Sequence, residues 1–143
     1  MVLYTIPHVR VVVDTNVVVS ALRSRRGASN AVLRHIAAGK LTLALSVPVV
    51  LEYEDVLLRP GMVPQFHEGE ISRYLDALCA CAIHQEIFFS WRPVLSDPGD
   101  EMLLELAVAA GATHIVTHNK RHFTQAVSFG ICVVTPSELL KLL

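Results

Sequence analysis

The chain has 143 residues, which is the length of one domain, and 52% of them are hydrophobic, so a sizeable core is available. With a net charge of −1, the protein does not attract nucleic acid electrostatically over its whole surface. No apolar run reaches the ~20 residues of a membrane span, and the first ten residues lack the apolar region and cleavage pattern of a signal peptide. We therefore expect a cytoplasmic location and no membrane contact.

The first predicted element is a buried strand. Residues 10–13 form a run rich in valine, which is typical of a parallel strand covered on both faces. The next predicted elements, in chain order, are a helix at 17–22, a polar loop at 24–27, a helix at 31–38 capped by Ser29 or Asn30 and ended by Gly39, a strand at 41–45, and a helix that Ser46 caps and that runs to about residue 58.

The second half of the chain continues the alternation of helices and strands. The predicted elements are a helix at 68–81, a strand at 83–89, a turn at 97–100, a helix at 101–110 ended by Gly111, strands at 114–117 and 131–134, and a terminal helix at 137–142. This alternation predicts one α/β domain over residues 1–143, an α/β/α sandwich with a parallel sheet of about five strands and helices on both faces.

Polar side chains occur where the predicted strands end. Asp14 follows the first strand, Glu52 lies in the helix after the second, Asp100 opens a later helix, and Thr117 and Asn119 close the fourth strand. These points converge at the carboxyl edge of a doubly wound sheet. Three carboxylates in one cleft repel one another unless a hard cation such as Mg²⁺ or Mn²⁺ bridges them. Such ions activate water for phosphodiester hydrolysis.

Each acid also has an ordinary structural explanation. Asp97 and Asp100 suit the start of a helix, because acids there cap amides and complement the helix dipole. Glu52 alone is typical of a solvated helix residue. Asp14 alone favours function, because a carboxylate directly after a buried strand is costly without a partner. Their combination favours a shared site.

The motifs together resemble those of a PIN domain. They are, in order, Asp14-Thr15-Asn16; Ser46 with Glu52 six residues later; Asp97-Pro98-Gly99-Asp100-Glu101 before an apolar helix; and Ile115-Val116-Thr117-His118-Asn119. The likeness runs from residue 11 to about residue 140. It is nearest to the small prokaryotic PIN proteins described as toxin components of toxin–antitoxin systems.

This resemblance implies the sandwich fold and a Mg²⁺- or Mn²⁺-dependent ribonuclease. Asp14, Glu52 and Asp100 match the family's first three acids, which would hold the ion, and Asn119 stands at the fourth acidic position. Asn119 would supply an amide oxygen or orient a water on the metal. The supporting polar side chains are Thr15, Asn16, Ser46, Glu101 and Thr117. The resemblance also implies an RNA substrate and an antitoxin partner, and the high apolar content favours a homodimer.

Basic residues concentrate near Asp14. Residues 1–40 hold that single acid against Arg10, Arg23, Arg25, Arg26, Arg34 and Lys40. Arg23, Arg25, Arg26 and, after the fourth strand, Lys120 are candidates for binding RNA phosphates. A solvated basic loop explains the same arginines. Trp91 suits either stacking on a base or a hydrophobic lid over the sheet edge.

The same sequence allows three other interpretations. His118 and His122 have the spacing of a zinc-binding pair on a helix, but the sequence offers no third ligand nearby. A strand-end Asp is also the nucleophile of haloacid-dehalogenase-like phosphatases, although their pattern has a second Asp where this chain has Asn16. A third alternative is a degenerate nuclease that only binds RNA or a protein, which Asn119 keeps open.

Overall fold

Five parallel strands form one sheet in the computed structural model, which describes residues 9–87 and 95–143. The strands are β1 (Arg10–Val13), β2 (Thr42–Leu45), β3 (Ile83–His84), β4 (His114–Val116) and β5 (Cys132–Val134). Their order in the sheet is β3-β2-β1-β4-β5. The central strand β1 pairs with β2 and β4, which places Val11 beside Leu43 on one side and His114 on the other. The predicted five-stranded parallel sheet is confirmed.

Helices cover both faces of this sheet. They are α1 (Thr15–Arg23), α2 (Ala28–Ala37), α3 (Val47–Leu57), α4 (Glu68–Cys81), α5 (Pro98–Ala109) and α6 (Pro136–Leu140). Successive strand residues point to opposite faces, yet Val11, Val12 and Val13 are all 0% exposed. Both faces of β1 are therefore covered, and the predicted α/β/α sandwich is confirmed.

The start of α2 differs from its prediction. Gly27 is the N-terminal cap, and the helix begins at Ala28, so the assignment of Ser29 or Asn30 as the cap is wrong. The Ser29 hydroxyl instead lies 3.2 Å from His118 Nε2. The Asn30 amide donates to the carbonyl oxygen of Ala21 at 2.9 Å. Both side chains bond to other parts of the fold rather than to the first turn of their own helix.

Two further segments depart from the sequence predictions. A kinked 3₁₀ segment spans Lys120–Phe129, where no element was predicted. It consists of two short 3₁₀ turns that meet at Phe123, whose backbone is not helical, and it buries Phe123 and Ala126. Strand β3 has two residues, whereas the prediction extended to residue 89. Residues 88 and 89 of that prediction and Trp91 lie outside the described residues.

Several apolar side chains remain on the surface. Val47 is 73% exposed and Leu51 is 57% exposed, and these two residues lie one turn apart on α3. An exposed apolar face is the kind of surface that a second copy covers, but homodimer formation stays a prediction. In the described part of the chain, no helix combines the length and apolar character needed to cross a bilayer.

Candidate active site

Asp14 lies at the carboxyl end of the central strand and just before the first residue of α1. Its backbone amide donates to the Val116 carbonyl at 2.9 Å, which continues the pairing of β1 with β4. Its carboxylate Oδ2 accepts a hydrogen bond of 2.7 Å from the Thr117 hydroxyl. Asp14 is only 8% exposed and Thr117 is 0% exposed. The sheet therefore holds this carboxylate in one position and keeps most of it away from water.

Asp14 and Asp100 are both buried enough to raise their pKa values, and the charge of Asp14 also acts on Asp100. Burial raises the pKa of the Asp14 carboxyl above its ordinary value of 3.8, and the Thr117 hydroxyl opposes that shift by stabilising the charged form. Burial also raises the pKa of the Asp100 carboxyl, and the negative charges of Asp97 and Asp14 raise it further. The His122 side chain acts in the opposite direction on Asp100. Two acidic groups therefore lie near each other in one partly buried cleft.

Glu52 reaches the same region from α3. A Cβ atom added to Gly99 would lie 3.9 Å from Glu52 Oε1 and 3.1 Å from Asp97 Oδ1. The Glu52 carboxylate therefore lies beside the first turn of α5, the turn that also carries Asp100. Asp97 begins this helix as its cap, because its Oδ1 accepts from the amides of Gly99 and Asp100 at 2.8 and 3.1 Å.

The segment after β4 packs against the start of α1. The Asn119 amide donates to Thr117 Oγ1 at 3.0 Å, and the His118 amide approaches Asn16 Oδ1 at 3.5 Å. These bonds fix the backbone around the fourth predicted position. The side chain of Asn119 is exposed, and it follows Thr117, the partner of Asp14, by two residues. Thr15 and Asn16 are half-buried at the same edge.

Other predicted site residues have structural partners. Ser46 caps α3, where its hydroxyl lies 3.5 Å from the Val49 amide. Glu101 is buried, and its Oε2 accepts from the Leu95 amide at 2.7 Å. Lys120 pairs with Glu138 at 2.9 Å. Ser46 and Glu101 thus stabilise the elements that carry Glu52 and Asp100.

The predicted arginines Arg23, Arg25 and Arg26 are all exposed, but they differ in their contacts. Arg25 and Arg26 lie in the loop between α1 and α2 and form no hydrogen bond or ion pair with the part of the chain that the structure describes. Arg23 ends α1 and donates from Nε to the Met62 carbonyl at 2.8 Å. Of these three arginines, Arg23 is the one whose guanidinium has a bonding partner among the described residues.

Sequence reasoning missed two contributors to the cleft. His122 Nδ1 lies 3.2 Å from Asp100 Oδ2, while His118 bonds to Ser29, so the two histidines bond to different groups and do not form the suggested zinc pair. The Tyr53 hydroxyl donates to the Val13 carbonyl, beside Asp14, and Tyr53 is buried. The sequence signal for Tyr53 was only its position next to Glu52 on α3.

The chemistry of these side chains fits a magnesium or manganese ion. Among residues 9–87 and 95–143, no three His, Cys, Asp or Glu side chains are grouped closely enough to enclose one ion. Mg²⁺ does not require such a cage, because it keeps several of its waters and binds through one or two carboxylates. Asp14 and Asp100 supply two hard oxygen donors whose mutual repulsion a cation would relieve.

The raised pKa of Asp14 predicts a pH-dependent effect on stability. Between pH 3.8 and the higher folded-state pKa, the folded protein binds more protons than the unfolded chain, so its stability falls as pH rises through this interval. Asp14→Asn removes the titrating group. We expect the melting temperature of the variant, minus that of the wild type, to increase from about pH 4 to about pH 7 in EDTA.

Thermal unfolding followed by circular dichroism at several pH values measures this difference. The slope of this melting-temperature difference against pH is the relevant quantity. A change of packing at residue 14 adds the same offset at every pH and leaves the slope unchanged. Ser72→Ala, at an exposed position on α4, is the control, because it removes no ionisable group and should therefore give no slope. A difference that stays flat or decreases with pH would contradict a raised pKa at Asp14.

Comparison with known proteins supports the architecture and identifies the family. One solved structure similar to the chain is that of VapBC2 from Rickettsia felis bound to a DNA fragment from their promoter; the match has a TM-score of 0.58 and 15% identity over 87% of this chain and 96% of that chain. At this identity the likeness shows the fold. None of the curated proteins compared with the chain matches it. The sequence profile of the PIN domain matches residues 10–121, and the chain therefore belongs to the PIN domain family.

Proposed function

We propose that this protein is a metal-dependent ribonuclease that hydrolyses RNA phosphodiester bonds at the cleft between Asp14 and Asp100. The observation that carries the proposal is the position of Asp14 at the carboxyl end of the central strand, where Thr117 holds its largely buried carboxylate at 2.7 Å, with Asp100 near enough for the charge of Asp14 to raise the pKa of the Asp100 carboxyl. A protein keeps such a pair at a cost unless a cation offsets the charge. Membership of the PIN domain family supports the same conclusion. It also argues against the alternative of a strand-end Asp phosphatase.

The side chains of the cleft have distinct proposed tasks. Asp14 and Asp100 would hold Mg²⁺ or Mn²⁺, and Glu52 and Asn119 would supply further oxygen atoms near it. When bound, the ion lowers the pKa of a water and neutralises charge on the phosphate. Thr117 holds the Asp14 carboxylate through its 2.7 Å hydrogen bond. His122 orients Asp100 from 3.2 Å.

Cleavage of labelled single-stranded RNA by the purified protein tests this function. We expect cleavage with millimolar Mn²⁺ or Mg²⁺, and no cleavage with EDTA. Calcium is an informative additional condition, because it prefers a larger and more flexible shell than Mg²⁺ does. Absence of cleavage in Mn²⁺ across many RNA sequences, together with measurable RNA binding, would favour a non-catalytic RNA-binding module.

An antitoxin partner is the second part of the proposal. The sequence resembles PIN toxins, and the similar solved structure is named as the VapBC2 assembly. A partner segment that carries an arginine would satisfy the paired carboxylates of Asp14 and Asp100 by charge-assisted hydrogen bonds. Co-expression with the protein of the neighbouring open reading frame should yield a complex that cleaves RNA more slowly than the isolated chain. Failure of the two proteins to co-purify would remove this part of the proposal.

A further inference from the structure

A groove runs along α1, beside the proposed catalytic cleft. It has a volume of about 510 Å³, and its walls include Asn16, Ser20 and Arg23 of α1, Val56 of α3, and Met62 and His118. We call it the α1 groove. A volume of this size is in the range of small-molecule sites, ~300–1,000 Å³. Asn16 and His118 form its inner end, where the His118 amide lies 3.5 Å from Asn16 Oδ1.

The outer end of the α1 groove holds a fixed cation. Arg23 Nε donates to the Met62 carbonyl at 2.8 Å, and its NH2 group lies 3.4 Å from the Met62 sulfur. Gln65 ties the same loop to α1 through a 3.0 Å bond to the Leu22 carbonyl. Arg23 forms no ion pair with any acid in the described ranges, so its charge and its remaining N–H donors are available to a ligand.

The wall between the two ends is largely apolar. Val56 and Met62 supply carbon and sulfur surface, and a thioether makes favourable contacts with aromatic rings. Ser20 adds a hydroxyl for hydrogen bonding. Thr15, which directly follows Asp14, also lines the groove. The inner end of the groove therefore adjoins the end of the cleft that holds Asp14.

We propose that the α1 groove binds the nucleotide next to the scissile phosphate of a single-stranded RNA, with its base on Val56 and Met62 and its far phosphate on Arg23. This inference rests on the proposed ribonuclease function. A flat base followed by a charged phosphate matches an apolar wall that ends at a cation. A strand held for hydrolysis at Asp14 also has to continue beyond the cleaved bond, and this groove opens from that point.

RNA binding without cleavage is the direct test. The affinity of a short labelled single-stranded RNA of mixed sequence is measured by fluorescence anisotropy in EDTA at several salt concentrations. We expect Arg23→Gln to weaken binding about fivefold and to reduce the slope of log affinity against log salt by about 0.7, the value for one phosphate contact on a single strand. Ser20→Phe fills the groove, so it should weaken binding without changing the slope.

Arg73→Gln is the matched control, because Arg73 is an exposed arginine on α4 that does not line the groove. It should leave both quantities unchanged, and thermal melting checks that all three variants are folded. Equal losses for Arg73→Gln and Arg23→Gln would overturn the assignment. The assignment would also be overturned if Arg23→Gln and Ser20→Phe both bound RNA as tightly as the wild type does. A labelled oligoglutamate peptide gives the remaining comparison. If binding of the peptide depends on Arg23 and Ser20 and binding of RNA does not, the groove is assigned to an acidic protein segment instead.

The same variants separate this inference from the proposed function. Groove-dependent RNA binding in EDTA, combined with no cleavage in Mn²⁺, would overturn the ribonuclease proposal and support the groove. Cleavage in Mn²⁺ with an unchanged KM in both groove variants would support the ribonuclease and overturn the groove. A higher KM with nearly unchanged kcat is the result expected if both proposals hold.

Discussion

Asp14→Asn should lower RNA cleavage in Mn²⁺ by roughly 100-fold or more, the usual scale for removing one preorganised charged group from a reaction centre. Asn keeps the shape of Asp and leaves an oxygen to accept from Thr117, which donates to Asp14 Oδ2 at 2.7 Å. It removes the negative charge that attracts the metal. The loss should therefore appear in metal affinity and cleavage, while the fold remains intact. Initial rates over a range of Mn²⁺ concentrations measure it.

Two controls make this result specific. Asp55→Asn changes an exposed acid on α3 that pairs with Arg59 at 2.8 Å, and it should leave cleavage unchanged because exposed ion pairs contribute little to stability. Asp100→Asn should also lower cleavage, because it removes the other carboxylate proposed to hold the ion, one whose pKa the charge of Asp14 already raises. If Asp14→Asn cleaved RNA at the wild-type rate, the activity would come from another site or a contaminant.

The position of Asp14 could be predicted because its determinants are local. A run of valines can be buried on both faces only at the centre of a covered sheet, so β1 was assigned with its observed ends, Arg10 and Val13. The polar residue that follows must then lie at the carboxyl edge. The bounds of α4, Glu68–Cys81, were also correct, because its apolar spacing and its acidic first turn are both in the sequence.

The predictions that the structure contradicts or that were missed depend on contacts between residues far apart in the sequence. The side chain of Ser29 suits a helix cap, but its partner is His118, which is 89 residues away and becomes adjacent only when α2 packs near the end of β4. His122 likewise meets Asp100 through the packing of the 3₁₀ segment against α5. Periodicity and capping rules describe a helix by itself, so they cannot identify a partner on another element.

The orientation of Glu101 illustrates the same limit within the site. Two adjacent acids, Asp100 and Glu101, follow the cap at Asp97, and the sequence does not reveal which of them faces the cleft. In the folded protein Asp100 bonds to His122, and Glu101 accepts from the Leu95 amide. The choice depends on the rotation of α5 against the sheet, which is set by the packing of the helix and not by its own sequence alone.

Asn119→Asp should tighten metal binding, because it introduces a carboxylate at the position that the sequence resemblance aligns with the family's fourth acid. An amide oxygen is a weaker ligand for Mg²⁺ than a carboxylate, and it leaves one negative charge fewer to offset the ion. At an effective dielectric of about 20 with partial solvent screening, the added charge should contribute roughly 1–2 kcal/mol, or about 5- to 30-fold in affinity. The exposed position of Asn119 favours the lower part of this interval.

Calorimetric titration of the wild type and the variant with Mn²⁺ measures the change, and cleavage at limiting Mn²⁺ should increase in parallel. The substitution leaves the backbone amide of residue 119 in place, so its 3.0 Å bond to Thr117 Oγ1 and the hold of Thr117 on Asp14 are retained. Arg121→Gln is a useful control, because it also makes the net charge more negative by one, two residues away at another exposed position. An equal gain from both variants would indicate a general field effect. Equal affinities of the wild type and the Asn119→Asp variant would exclude this residue from the metal shell, and the cation would then depend on Asp14, Glu52 and Asp100 alone.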